Sequence, residues 1–141
     1  MYSPSEYDSL ITRFNDRKLP KAEWTHGAHL ASAIWHLWHF PPDDAIYLLR
    51  GRIMRHNEAV GTANTDTEGY HETVTYFWIK AVNHFLKTNH FSHWVPAHEE
   101  IMKSEMSKSD YPMNFFSKEK LFTVEARKSI IQPDVLKPDW Y

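Results

Sequence analysis

Three of the ten histidines stand where two apolar helical stripes begin: His26 and His29 in Trp24-Thr25-His26-Gly27-Ala28-His29-Leu30, and His71 in Gly69-Tyr70-His71-Glu72-Thr73-Val74-Thr75. Imidazoles that converge in a core are either hydrogen-bonded structural groups or metal ligands. Three neutral imidazoles on one divalent cation leave a position open for water or substrate, so the metal acts as a Lewis acid or lowers the pKa of a bound water. The expected site therefore has His26, His29 and His71 as ligands of one divalent transition metal. Imidazole and carboxylate donors leave its identity open among zinc, iron, nickel, manganese and copper. Glu72 lies about 100° round the helix from His71 and is the expected general base. Arg50 falls within an apolar stripe, where a guanidinium needs an anion, and is the expected clamp for an anionic substrate. Glu23 and Glu68 are each three residues from a candidate histidine and offer further oxygen donors.

The same residues support a second use without a metal. Arg50 would hold an anion, Asn57 and Asn64 would be amide readers, Tyr70, Thr75 and Trp78 would line the pocket, and His71 would serve as an acid or base. That is a binding or sensor site for a small carboxylate-bearing molecule. In a purely structural arrangement, Thr75 bonds back to its own helix, His71 caps the preceding loop and Arg50 extends to solvent. Trp35 and Trp38 lie off the inward face of their helix, where they either pack internally or form a homodimer surface. His-x-x-His spacing is weak in a chain with ten histidines, and neither His-Glu-x-x-His nor an adjacent His-Asp pair occurs. The metal-phosphohydrolase pattern therefore does not fit.

The elements that must position these side chains are all helical. Tyr7, Leu10, Ile11 and Phe14 recur at helical spacing and predict a first helix over Ser5 to Asn15. The second runs from His26 to His39 with Thr25 as N-cap, and Phe40-Pro41-Pro42 stops it. Leu30, Ala33, Leu37 and Phe40 share its inner face with His26. The third begins at Asp43-Asp44 and continues to about Val60, burying Ile46, Leu49, Ile53 and Val60. A polar loop, Gly61 to Gly69, leads into a fourth helix from Tyr70 to about Lys87, with Val74, Trp78, Ala81, Val82 and Phe85 inward. A shorter helix near Pro96 to Met106 and a last one within Pro112 to Ile131 precede an extended tail that starts at Gln132. Two helices that are polar at one end of the buried face and apolar at the other predict a bundle with a dry half and a functional half. No alternating β-branched run and no internal repeat is present.

Length and composition agree with a single all-α domain, residues 1–141, of five or six helices. The 141 residues are enough for a real core without cross-links, and 42% are hydrophobic. Cysteine is absent, which removes disulfides, thiolate ligands and a Cys nucleophile. A formal charge of −2 with scattered Lys and Arg gives no basic footprint for nucleic acid. No apolar run reaches the ~18 residues of a membrane span, and the polar N-terminus lacks a signal-peptide core, so the expected location is cytoplasmic.

Trp24-Thr25-His26-x-x-His29-Leu30, Arg50, Asn57, Gly69-Tyr70-His71-Glu72-Thr73-x-Thr75, Ser117-Lys118-Glu119-x-Leu121-Phe122, Ala126-Arg127 and Pro133-Asp134 together resemble a family of small, mostly bacterial proteins without assigned function. The resemblance covers residues about 14 to 135. It implies an all-helical domain of bacterial type and supplies no reaction. The layout is also similar in architecture to DinB-like bundles that hold a metal with three histidines, an analogy of fold alone.

Overall fold

The computed structural model describes residues 2–141, and the described residues are all helical, with no strands. Seven α-helices follow in order: α1 Pro4–Asn15, α2 His26–His39, α3 Pro42–Ala59, α4 Glu72–Thr88, α5 Trp94–Ile101, α6 Lys118–Leu121 and α7 Val124–Lys128. Short 3-10 turns cover Lys21–Glu23, Glu105–Ser107 and Tyr111–Asn114. The expected last helix is two short ones, each with a single buried residue, Leu121 and Ala126, too few to propagate one inward face.

Helix α2 is the axis of the bundle and packs against α1, α3, α4 and α5. Its middle, Leu30-Ala31-Ser32-Ala33-Ile34, is buried on every side, and the small residues let neighbouring backbones approach. Thr25 caps the helix by accepting the Ala28 N–H at 3.2 Å. Trp35 packs on its own helix, against His36, His39 and Phe40, while Trp38 is the more exposed of the pair.

On α4 the fully buried residues are Thr73, Phe77, Ile79, Ala81 and Val82. Val74 and Trp78, expected at the centre of that face, are half-buried, as is Ile53 on α3. All three border open space inside the bundle, which accounts for their incomplete burial.

The chain after α7 is extended and tied to α4. Thr73 Oγ1 donates to the Ser129 carbonyl at 2.7 Å and accepts the Ile131 N–H at 3.2 Å. Asp134 accepts the Ser117 N–H at 2.8 Å, and hydrogen bonding by the Ser117 side chain, then by its backbone, lowers the pKa of the carboxyl. Trp140 packs on Phe77 and Phe115.

Candidate functional site

A cavity of about 350 Å³ lies where the first turn of α2 meets the middle of α3 and the first half of α4. Its walls are Leu30, Ala33, Leu49, Ile53, Val74, Ile79, Trp24 and Trp78, and its polar groups come from His26, His29, Thr75 and Ser109. A second cavity of about 360 Å³ adjoins it, sharing Trp24, His29, Ile53, Val74 and Thr75, and is bordered by Lys21, His56, Asn57, Tyr70 and His71. The first is a mostly apolar chamber and the second a more polar mouth. His29 belongs to both.

Local chain chemistry fixes the His29 ring. Its Nδ1–H donates to the Thr25 carbonyl at 2.6 Å, one turn back on α2, so Nε2 carries the lone pair. The ring lies on the Trp24 indole with centroids 3.8 Å apart, and Trp24 stacks in turn on Phe14 at 4.3 Å with planes 12° apart. His29 has an exposed face although protein surrounds it, because the surface it exposes is that of the cavities. Burial pushes its pKa down to about 4, against the bond to Thr25, and the neighbouring His26 and His56 push the same way. The imidazole is therefore neutral at neutral pH, with Nε2 free to accept.

His26 donates from Nε2 to the Met106 carbonyl at 2.8 Å, which leaves Nδ1 as the unprotonated nitrogen. Its ring packs against Trp78, 4.9 Å between centroids. His56, on the wall of the mouth, donates from Nε2 to the Leu19 carbonyl at 3.0 Å, and its Nδ1 is buried without a partner. The sequence reading missed His56 although it continues the Leu49, Ile53 stripe at i+3 and i+7.

His71 is used differently from expectation. As N-cap of α4 it accepts the Val74 N–H on Nδ1 at 3.1 Å, and its Nε2–H donates to the Leu121 carbonyl at 2.8 Å. Both ring nitrogens are taken by backbone. His71 thus has no ring nitrogen left to join His26 and His29 in this structure, and among the described residues no three His, Asp or Glu side chains are grouped to hold a metal ion.

Glu72 and Arg50 also depart from their expected roles. Arg50 grips Glu72 with Nε to Oε1 at 3.0 Å and Nη2 to Oε2 at 2.6 Å, and the Tyr70 hydroxyl donates to Oε1 at 2.5 Å. These bonds raise the Arg50 pKa, and burial followed by the bond to Glu72 raises that of the Tyr70 hydroxyl. The base and the clamp saturate each other on the wall of a separate surface cleft with Met54, Asn64 and Arg127.

No protein-family model, curated protein or solved structure matches the chain. The assignment of a site therefore rests on the chemistry of its own side chains.

Asn64, expected as an amide reader, has both ends of its amide engaged in the loop. Its Oδ1 accepts from Asn57 Nδ2 and from the Tyr70 N–H, each at 3.0 Å, and its Nδ2 donates to the Met54 carbonyl at 3.0 Å. Gly69 sits against this knot with φ +80°, where a Cβ would press on the Ala63 carbonyl and on Asn64 itself. Arg127 donates to the Gly69 carbonyl at 2.9 Å and closes the loop from the other side. Of the expected pocket residues, Thr75 and Trp78 line the chamber, and Asn57, Tyr70 and Thr75 the mouth.

Proposed function

We propose that the protein binds a small molecule in the chamber and mouth around His29. The observation that carries this is the His29 imidazole: a tautomer fixed by Thr25, a lone pair without a protein partner, and a position on a pre-stacked aromatic wall. Ligand sites are concave and mainly apolar with a few placed polar groups, and a volume near 350 Å³ is in the range for a small ligand. The Nε2 acceptor of His29 has no protein donor and belongs to a side chain that lines both cavities, where a ligand N–H or O–H can supply one.

Binding is favoured over acid–base catalysis by proton affinity. A general base works best with a pKa near the working pH, whereas burial takes His29 down to about 4. The carboxylate that would complement it, Glu72, is committed to Arg50.

The test is a screen of neutral fragments by thermal shift and protein-observed NMR, on the wild type and on Ala33→Met, which fills the chamber. Ligands should raise Tm in the wild type, because they bind only the folded state, and the shift should vanish in folded Ala33→Met. A screen without hits, or hits indifferent to Ala33→Met, would overturn the reading.

A further inference from the structure

We infer that the chamber selects a neutral aromatic molecule whose polar group is a hydrogen-bond donor, such as an indole or a phenol. The inference rests on the binding reading above and adds the class of ligand.

Charge decides the first half. No Lys, Arg, Asp or Glu lines the chamber among the described residues. A buried ion there would lack a counter-charge, and an unpaired buried charge costs several kcal/mol. The two tryptophans offer cation–π attraction, about 2 kcal/mol when desolvated, which falls short of that cost. A carboxylate fares worse, since Arg50 is held by Glu72 on another face and Lys21 borders only the mouth.

Hydrogen-bond polarity decides the second half. His29 and His26 each spend their N–H on a backbone carbonyl, at 2.6 and 2.8 Å, so each offers the ligand an acceptor and no donor. The chain's own carbonyls set this polarity, so the rings cannot switch tautomer without losing those bonds. A ligand that only accepts leaves the lone pairs unpaired, whereas an N–H or O–H satisfies one of them. Shape agrees, because Phe14, Trp24 and His29 stack in that order, and both Trp24 and Trp78 give the chamber aromatic walls. Flat rings stack on such walls better than branched aliphatics do.

Indole and benzofuran have nearly the same shape and differ in a donor N–H against an acceptor oxygen, so they separate the two halves. By titration calorimetry at pH 7.5, indole should bind the wild type at least about tenfold more tightly than benzofuran, a difference of about 1.4 kcal/mol. In His29→Phe, which keeps a ring on Trp24 but has no lone pair, the preference should disappear. Indole-3-carboxylate should bind more weakly than indole. Within the wild type, the ¹⁵N resonance of His29 Nε2 should move on adding indole and stay on adding benzofuran, which needs no variant to fold. Equal affinity for indole and benzofuran, both lost in Ala33→Met, would overturn the donor selectivity and leave the cavity reading standing. A preference that persists in folded His29→Phe, or an unmoved Nε2 resonance, would overturn the role of His29. Indole that fails to bind at all overturns the inference, and the binding reading falls with it only if the fragment screen is also empty.

Discussion

Arg50 and Glu72 are bound to each other through two parallel bonds, 3.0 and 2.6 Å, so the two residues best suited by type to grip or deprotonate a substrate instead join α3 to the first turn of α4. The fork geometry of the guanidinium matches both carboxylate oxygens, and the Tyr70 hydroxyl occupies a further lone pair. In the neighbouring cavities the His29 Nε2 has no protein partner.

Glu72→Gln should therefore act on stability and hardly on binding. The pair is partly exposed, 36% for Arg50 and 16% for Glu72, so the loss should be about 1–2 kcal/mol by urea denaturation. Indole affinity should stay within about twofold of the wild type, as expected for sites without shared partners. A large loss of affinity in a folded variant would return Glu72 to the site.

His71→Ala removes an N-cap and the tie to Leu121, and should cost about 1–2 kcal/mol. His71→Asn, which can still cap, should recover part of it. Elemental analysis should find equal metal content in the wild type and in both variants. Metal present in the wild type and lost from folded His71→Ala would instead restore a three-histidine centre.

Acid should weaken the fold through His36 and His29. His36 is fully buried, donates from Nδ1 to the Ser32 carbonyl and accepts from Arg52 on Nε2, each at 2.6 Å, so it has no room for a second proton. Burial pushes it down to about 4, as it does His29. The unfolded chain binds these protons near pH 6.5 and the folded chain only near 4. Stability is thus complete above about pH 6.5 and declines as pH falls toward 4, by roughly 3 kcal/mol for His36 alone. Urea titrations across that range check the slope, and the His36 ring resonances should not titrate above pH 5.

Two glycines at positive φ should respond unequally to alanine. Gly61, at +82°, has open space where a Cβ would stand, so Gly61→Ala should cost about 1 kcal/mol from conformation alone. At Gly69 the Cβ also meets the Ala63 carbonyl and Asn64, and Gly69→Ala should cost about 2 kcal/mol or more. Equal losses by thermal unfolding would mean that the Asn64 knot yields.

The first four helices and the Thr25 cap were legible in the sequence because periodicity and Pro or Thr boundaries are local properties. So was the convergence of His26 and His29 on one cavity, since polar residues interrupting an apolar stripe within one turn stay together in any packing. The partnership of Arg50 with Glu72 was not, because it depends on how α3 and α4 dock across 22 residues of chain. Nor was the fate of His71, whose Nε2 meets a carbonyl 50 residues away. His36, His56 and His98 are buried structural imidazoles whose partners are Arg52, the Leu19 carbonyl, and Tyr7 with the Gly27 carbonyl. Only tertiary contact distinguishes them from His26 and His29, the two that line the chamber.

The chamber leaves Ile53, Val74 and Trp78 short of neighbours, and a chain selected for durability alone would fill it. Each added methylene buried at Ala33 would contribute about 0.8 kcal/mol, so Ala33→Met should melt at a higher temperature than the wild type. An open chamber beside an alanine is the vacancy that the proposed ligand site requires, at a cost in durability that a natural chain readily carries.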